Sequence, residues 1–150
     1  MSLRALTVQG VHPALVGPFQ VSQDVNVKGE QSSDRLSVHA WALYRVEATL
    51  EAGPDAEQPP EGGSAWSLTM EMVADYPTDE NVEAPEFDGG ELSAFALLIG
   101  LPAIHPFARE AVQNMTGRLG YPPFTLEMLT PISAHPDDEL VEMSDSDLEN

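Results

Sequence analysis

Leu36, Val38, Ala40, Ala42, Tyr44, Val46, Ala48 and Leu50 share one parity, and Ser37, His39, Arg45, Glu47, Thr49 and Glu51 occupy the other. A period of two held over about fifteen residues fits a strand that buries one face, and it does not fit a helix. Strands usually run about five or six residues, so a bend or bulge is expected in this one. Such a strand needs neighbours of similar length. Phe19, Val21, Val25 and Val27 alternate with Gln20, Ser22, Asp24, Asn26 and Lys28. Trp66, Leu68, Met70, Met72, Ala74 and Tyr76 alternate with Ser67, Thr69, Glu71 and Asp75. Leu3 to Val8 reads as a weaker fourth strand. Gly29 and the polar run to Asp34 predict one turn. Ala52 to Ser64, rich in Gly and Pro, predicts a long hairpin-type connection.

After Gly90 the period changes. Leu92, Phe95, Ala96 and Ile99 fall at helical spacing, and Gly100 with Pro102 predicts the end of that helix. A second helix is expected from near Pro106, with Phe107, Ala108, Ala111, Val112, Met115 and Leu119 as its apolar stripe and Gly120, Pro122 and Pro123 as its stop. Strands first and helices afterwards predict an α+β fold, an antiparallel sheet of four strands with two helices on one face.

Charge narrows the choice of partners. Twenty-five acidic groups face six basic ones, a formal net charge of −19. Such a surface disfavours nucleic acid and anionic membrane, and it favours basic partners or plain solubility. The N-terminus MSLRALTVQG lacks the apolar stretch of a signal peptide, no apolar run reaches spanning length, and there is no cysteine. These features point to a cytoplasmic protein. Seven carboxylates, among them Asp137, Asp138, Glu139 and Glu142, lie within residues 137–150, with no Lys or Arg after Arg118. The expected organisation is a folded domain over 1–133 and a disordered acidic tail over 134–150 that is available to a partner.

Two further features need weighing. Ala134-His135-Pro136-Asp137-Asp138-Glu139 matches the zinc-binding signature of the PIG-L/LmbE deacetylases. That family places it after the first strand of a Rossmann-like domain, whereas here it follows an α+β pattern. A zinc site also needs a third ligand and an outer shell. The four histidines form no i, i+4 metal pair, and no nucleophile elbow or phosphate-binding loop occurs. No catalytic residue, metal site or cofactor is assigned, and His105 reads as a helix-entry residue. Trp41 and Leu43 sit on the polar parity of the long strand. Either a loop or subunit covers them, or they form an exposed apolar patch.

The run His105-Pro106-Phe107-Ala108-Arg109-Glu110-Ala111-Val112 resembles the P-[YF]-A-R-E helix of the SecB family. Its continuation, Met115-Thr116-Gly117-Arg118-Leu119-Gly120-Tyr121-Pro122-Pro123-Phe124-Thr125-Leu126-Glu127, resembles the segment that follows there. The form is closest to the SecB-like chaperones of toxin–antitoxin systems. The resemblance implies a SecB-like four-stranded sheet followed by two helices. It also implies a homotetramer built as a dimer of dimers, and a holdase that binds unfolded polypeptides in apolar grooves without ATP, in protein export or on behalf of an antitoxin. The groove residues it implies are Phe87, Leu92, Leu101 and Phe124, with Trp41 and Leu43 on the sheet. The competing reading is an acidic interaction protein, such as a nucleic-acid mimic that blocks a basic partner.

Overall fold

The computed structural model describes residues 1–11, 14–51 and 64–129. Four strands form one antiparallel sheet: β1 (Ser2–Gly10), β2 (Phe19–Gln31), β3 (Ser37–Leu50) and β4 (Ser64–Pro77). Their order is β1-β4-β3-β2, so the chain crosses from one sheet edge to the other between β1 and β2. The alternation in the sequence sets the faces. Ala40, Ala42, Tyr44, Val46 and Ala48 of β3 are buried on one side, while Arg45 and Glu47 are exposed on the other. The expected irregularity in the long strand lies between Ala48 and Thr49, where its pairing with β4 shifts register. A second shift, between Leu3 and Ala5, leaves Arg4 as the extra residue on β1. The β2–β3 turn falls later than Gly29. β2 runs on to Gln31, and Arg35 takes a positive φ of 61° in the turn.

The helical region departs from the expectation of two separated helices. Helix α1 (Gly89–Phe95), a π-helical stretch (Ala96–Gly100) and α2 (Leu101–Arg118) run on without a break. Gly100 and Pro102 do not end the helix. In the π stretch the Leu101 N–H reaches back to the Ala96 carbonyl, one residue further than in an α-helix. That wider turn lies just before Pro102, which has no N–H and whose ring would crowd a normal turn. Pro102 then stands as the second residue of α2, directly beyond that wider turn. The stop comes at Gly120, with φ +85°, ahead of Pro122 and Pro123.

Gly29 and Gly100 are contact points between helix and sheet. A Cβ on Gly29 would overlap the Leu92 carbonyl, and a Cβ on Gly100 would overlap the Ala40 side chain. Small residues therefore let the helix backbone rest directly on β2 and β3. That phase turns Leu101, Ile104, His105, Ala108, Val112 and Thr116 inward. The expected stripe is corrected in one respect: Phe107 is 54% exposed. His105 is likewise buried in mid-helix and does not stand at a helix entry.

The continuous helix, Gly89–Arg118, is long and apolar enough to cross a membrane by length and composition, with a best-window mean hydropathy of 1.4. No single apolar run announces this in the sequence. Its inward stripe is accounted for by the sheet. The turn Leu97, Leu98 and Ile99, at 41%, 56% and 52% exposed, is not.

Candidate client-binding groove

The sheet end near Pro77 carries an open apolar groove of about 290 Å³, lined by Val38, Tyr76, Pro77, Thr78, Phe87, Glu91, Leu92 and Phe95. Four segments build it. β3 provides Val38 from its start and β4 provides Tyr76 from its end. Helix α1 provides Leu92 and Phe95 at i, i+3, the spacing that stacks side chains on one helix face. The Phe95 ring meets Tyr76 edge to face at a centroid distance of 5.0 Å, a geometry favoured by the ring quadrupoles. The loop between β4 and α1 provides Phe87.

That loop is held in place by polar contacts. Gln31 works with both ends of its amide: its Nε2 donates to the Pro85 carbonyl at 2.9 Å, and its Oε1 accepts from the Phe87 N–H at 3.1 Å. Arg35 pairs with Glu86 at 3.0 Å. At the start of the loop the Thr78 hydroxyl donates to the Arg35 carbonyl. Further along, Asp79 accepts from the backbone and side chain of Asn81. Those bonds hold the Asp79 carboxyl below the usual carboxylate range. At the helix entry Asp88 and Glu91 form a reciprocal capping box, which satisfies two otherwise orphan donors. The wall of the groove is therefore apolar and its mouth is acidic.

The six apolar residues singled out from the sequence separate into four places. Phe87 and Leu92 meet in the groove. Leu101 is 6% exposed and belongs to the core. Phe124 packs on Trp66 at a ring distance of 5.9 Å. Trp66 and Tyr76 are ten residues apart on β4, so Phe124 is roughly 33 Å from the groove at about 3.3 Å per residue. Trp41 and Leu43 lie on the opposite face of the sheet, half-buried. Tyr76, Phe95 and Val38 were missed as groove residues. A usable signal existed for Tyr76, the last alternating aromatic before the Pro77 break. None existed for Phe95, whose helical spacing reads equally well as core. Asp137, Asp138, Glu139 and Glu142, the long connection and the AHPDDE motif lie outside the described residues.

The HPFARE run acquires a physical role. His105 is buried, and its Nε2–H donates to the Glu127 carbonyl at 2.7 Å while Nδ1 accepts from the Tyr44 hydroxyl at 3.1 Å. Arg109 Nε donates to the Leu126 carbonyl at 3.0 Å, and the Thr116 hydroxyl accepts from the Phe124 N–H at 2.9 Å. These residues strap the extended segment after the helix back across it. Burial pushes the pKa of Tyr44 well above the usual tyrosine range, so it stays neutral and can donate to His105. Tyr121 ties the strap to the β1–β2 crossing, accepting from the Leu15 N–H at 3.2 Å.

Chemistry does not emerge from the remaining polar groups. Ser37 Oγ, His39 and Asp75 are linked in the order of a hydrolase triad, at 3.2 and 2.6 Å. The Ser37 N–H is committed to the Ser32 hydroxyl, so it cannot serve as the oxyanion donor that acyl transfer needs beside its nucleophile. No cluster of three metal-ligating side chains occurs among the described residues.

Comparison with solved structures gives a SecB-like chaperone from Mycobacterium tuberculosis, in complex with a ChAD peptide from the HigA1 antitoxin. It matches with a TM-score of 0.65 over 86% of both chains, at 21% identity. The fold is that of a SecB-like chaperone. Among curated proteins, SecB-like chaperones of two Mycobacterium tuberculosis strains are 43% identical to this chain over 56 residues. That segment is 37% of this chain and 30% of the relatives. No protein-family model matches the chain. The SecB-like arrangement of sheet, then helix, is thus present here with the two helices fused through a π-helical stretch.

Proposed function

We propose that this protein is a non-catalytic, ATP-independent holdase that binds non-native polypeptide, with an antitoxin segment as its dedicated client. The observation that carries this is the preformed groove at Tyr76, Phe87, Leu92 and Phe95 on a SecB-like fold. Support comes from the relatives, SecB-like chaperones by name, one of them solved with an antitoxin peptide bound. A groove of about 290 Å³ holds one or two apolar side chains of an extended segment. Each such contact is weak, so useful holding needs several grooves acting on one client.

The exposed turn Leu97, Leu98 and Ile99 supplies the means. Three large apolar residues exposed within one helical turn leave apolar surface of the kind that marks an interface. A second copy covering it yields a dimer or a tetramer with several grooves. The activity belongs in the cytoplasm, where nascent chains and antitoxins are met. The acidic residues Asp137, Asp138, Glu139 and Glu142 offer a basic partner faster encounter through electrostatic attraction.

The test is aggregation of a chemically denatured client, followed by light scattering without nucleotide. The protein is expected to suppress scattering, and Leu92→Ser to weaken suppression while leaving the thermal midpoint nearly unchanged. Full suppression by Leu92→Ser would sink the groove assignment. No suppression by the parent chain would sink the holdase reading.

A further inference from the structure

A second cavity, of about 390 Å³, opens beside the groove, and its lining is mostly polar: Glu30, Gln31, Ser32, Ser33, Arg35 and Glu86. The two cavities have Phe87 and Leu92 in common. These two side chains form the wall between an apolar compartment and a polar one.

The two halves of that wall are held differently. Leu92 is fixed through its backbone, because its carbonyl rests on Gly29 with no room for a Cβ between them. Phe87 belongs to the loop, and its N–H donates to the Gln31 side chain. Among the described residues, the hydrogen bonds that tie Glu83–Phe87 to the rest of the fold come from Gln31 and Arg35 alone. The Arg35–Glu86 pair is solvent-exposed, and such pairs contribute little. Gln31 therefore carries the loop. Its carboxamide donates to the Pro85 carbonyl and accepts from the Phe87 N–H at once, which a carboxylate or an aliphatic side chain cannot do. Both bonds leave from one carboxamide, so a single side-chain rotation breaks them together.

We propose that Gln31 is a latch that sets the length of the groove. With the latch closed, Phe87 divides the surface, and the apolar compartment takes one or two side chains. With the latch open, Phe87 moves with its loop, Leu92 stays, and the compartments join into one trough. That trough fits an extended segment with an apolar side chain at one end and polar ones at the other. A segment long enough to fill both compartments must break the latch, so its affinity is reduced by the fraction of molecules that are open. This inference rests on the reading of the groove as a client site and adds how that site discriminates by length.

Two capped peptides test it by NMR titration of the full-length chain. One is Gly-Phe-Gly, which fills the apolar compartment alone. The other is the same sequence extended by Ser-Gln-Ser-Gln, which is uncharged, so the acidic rim does not favour it. Gln31→Leu keeps a side chain of similar bulk and removes both bonds. It should bind the long peptide roughly tenfold tighter than the parent does, as expected when two hydrogen bonds no longer hold the closed form, and the short one no tighter. In the parent chain, saturation with the long peptide should speed hydrogen exchange at the Phe87 amide, and saturation with the short one should not. A Gln31 that merely supports the fold gives the opposite sign, with both peptides weakened in Gln31→Leu. That result overturns the inference, as does unchanged affinity for the long peptide, or a Phe87 amide that stays protected with the long peptide bound. Should Gln31→Leu fail to fold, the exchange measurement on the parent decides alone. A parent chain and a variant that both bind neither peptide sink the client groove itself, and the latch with it.

Discussion

Gly100 rests on Ala40, backbone to methyl, with no room for a Cβ between them. This contact fixes how deeply the helix seats on the sheet. Gly100→Ala inserts one methyl into a fully packed junction, and overpacking of this kind costs about 1–3 kcal/mol. The control is Gly89→Ala, where an added Cβ meets nothing within 4 Å. Urea titrations should show a lowered midpoint for the first and an unchanged or slightly raised one for the second.

Leu101 and Leu92 should separate stability from binding. Leu101 is part of the core, and truncating a buried leucine to alanine costs about 2–5 kcal/mol. Leu92 lines the groove and is only partly buried. Leu101→Ala should therefore lower the denaturation midpoint strongly, and Leu92→Ala should lower peptide affinity at nearly constant midpoint. Equal behaviour of the two would contradict the placement of either.

Tyr44 carries a pH signature. Its folded-state pKa is raised by burial above the ordinary value near 10. Above about pH 10 the unfolded chain ionises this group while the folded chain keeps its proton. The unfolded state then binds fewer protons, so stability falls as pH rises through that range. Tyr44→Phe should remove this contribution to the alkaline slope. At neutral pH it should also destabilise by about 1–3 kcal/mol, because the buried His105 Nδ1 loses its donor.

The capping box makes a local prediction. Asp88→Ala removes the acceptor for the Glu91 N–H, a loss of roughly 0.5–2 kcal/mol. The loss falls on the first turn of α1, which carries Leu92. Hydrogen exchange at Glu91 and Leu92 should accelerate, with exchange at Ile104 and Val112 unchanged.

The exposed helix turn predicts assembly. Light scattering of the parent chain should give a mass above the 16.2 kDa of one chain. Leu98→Glu places a charge in that patch and should shift the mass to the monomer without changing the circular dichroism spectrum.

The sheet was legible in the sequence because a strand with one wet face writes its burial at every second residue. The parity of Ala40 to Ala48 and of Leu68 to Ala74 placed the core side before any coordinates. It also placed Trp41 and Leu43 on the opposite side. The helix break was misread because Gly100 and Pro102 carry the local signature of a stop, while their actual role depends on what lies beneath. Gly100 meets β3, and the π-helical stretch accommodates Pro102. The strap and the groove were the least legible. Both depend on hydrogen bonds between residues far apart in the chain, such as Gln31 with Phe87 and His105 with Glu127. Irregular backbone leaves no periodic trace of such pairings.

The strand order has a consequence for how the molecule comes into being. β1 leaves the ribosome first but pairs only with β4, Ser2 facing Val73. At roughly 5–20 residues per second, its edge stays unpaired for several seconds while the intervening chain is made. Contacts this distant in sequence also close slowly once available. Only ten of the twenty-five acidic residues lie at or before Pro77, the end of β4, so most of the negative charge that keeps copies apart is made only after the last strand of the sheet.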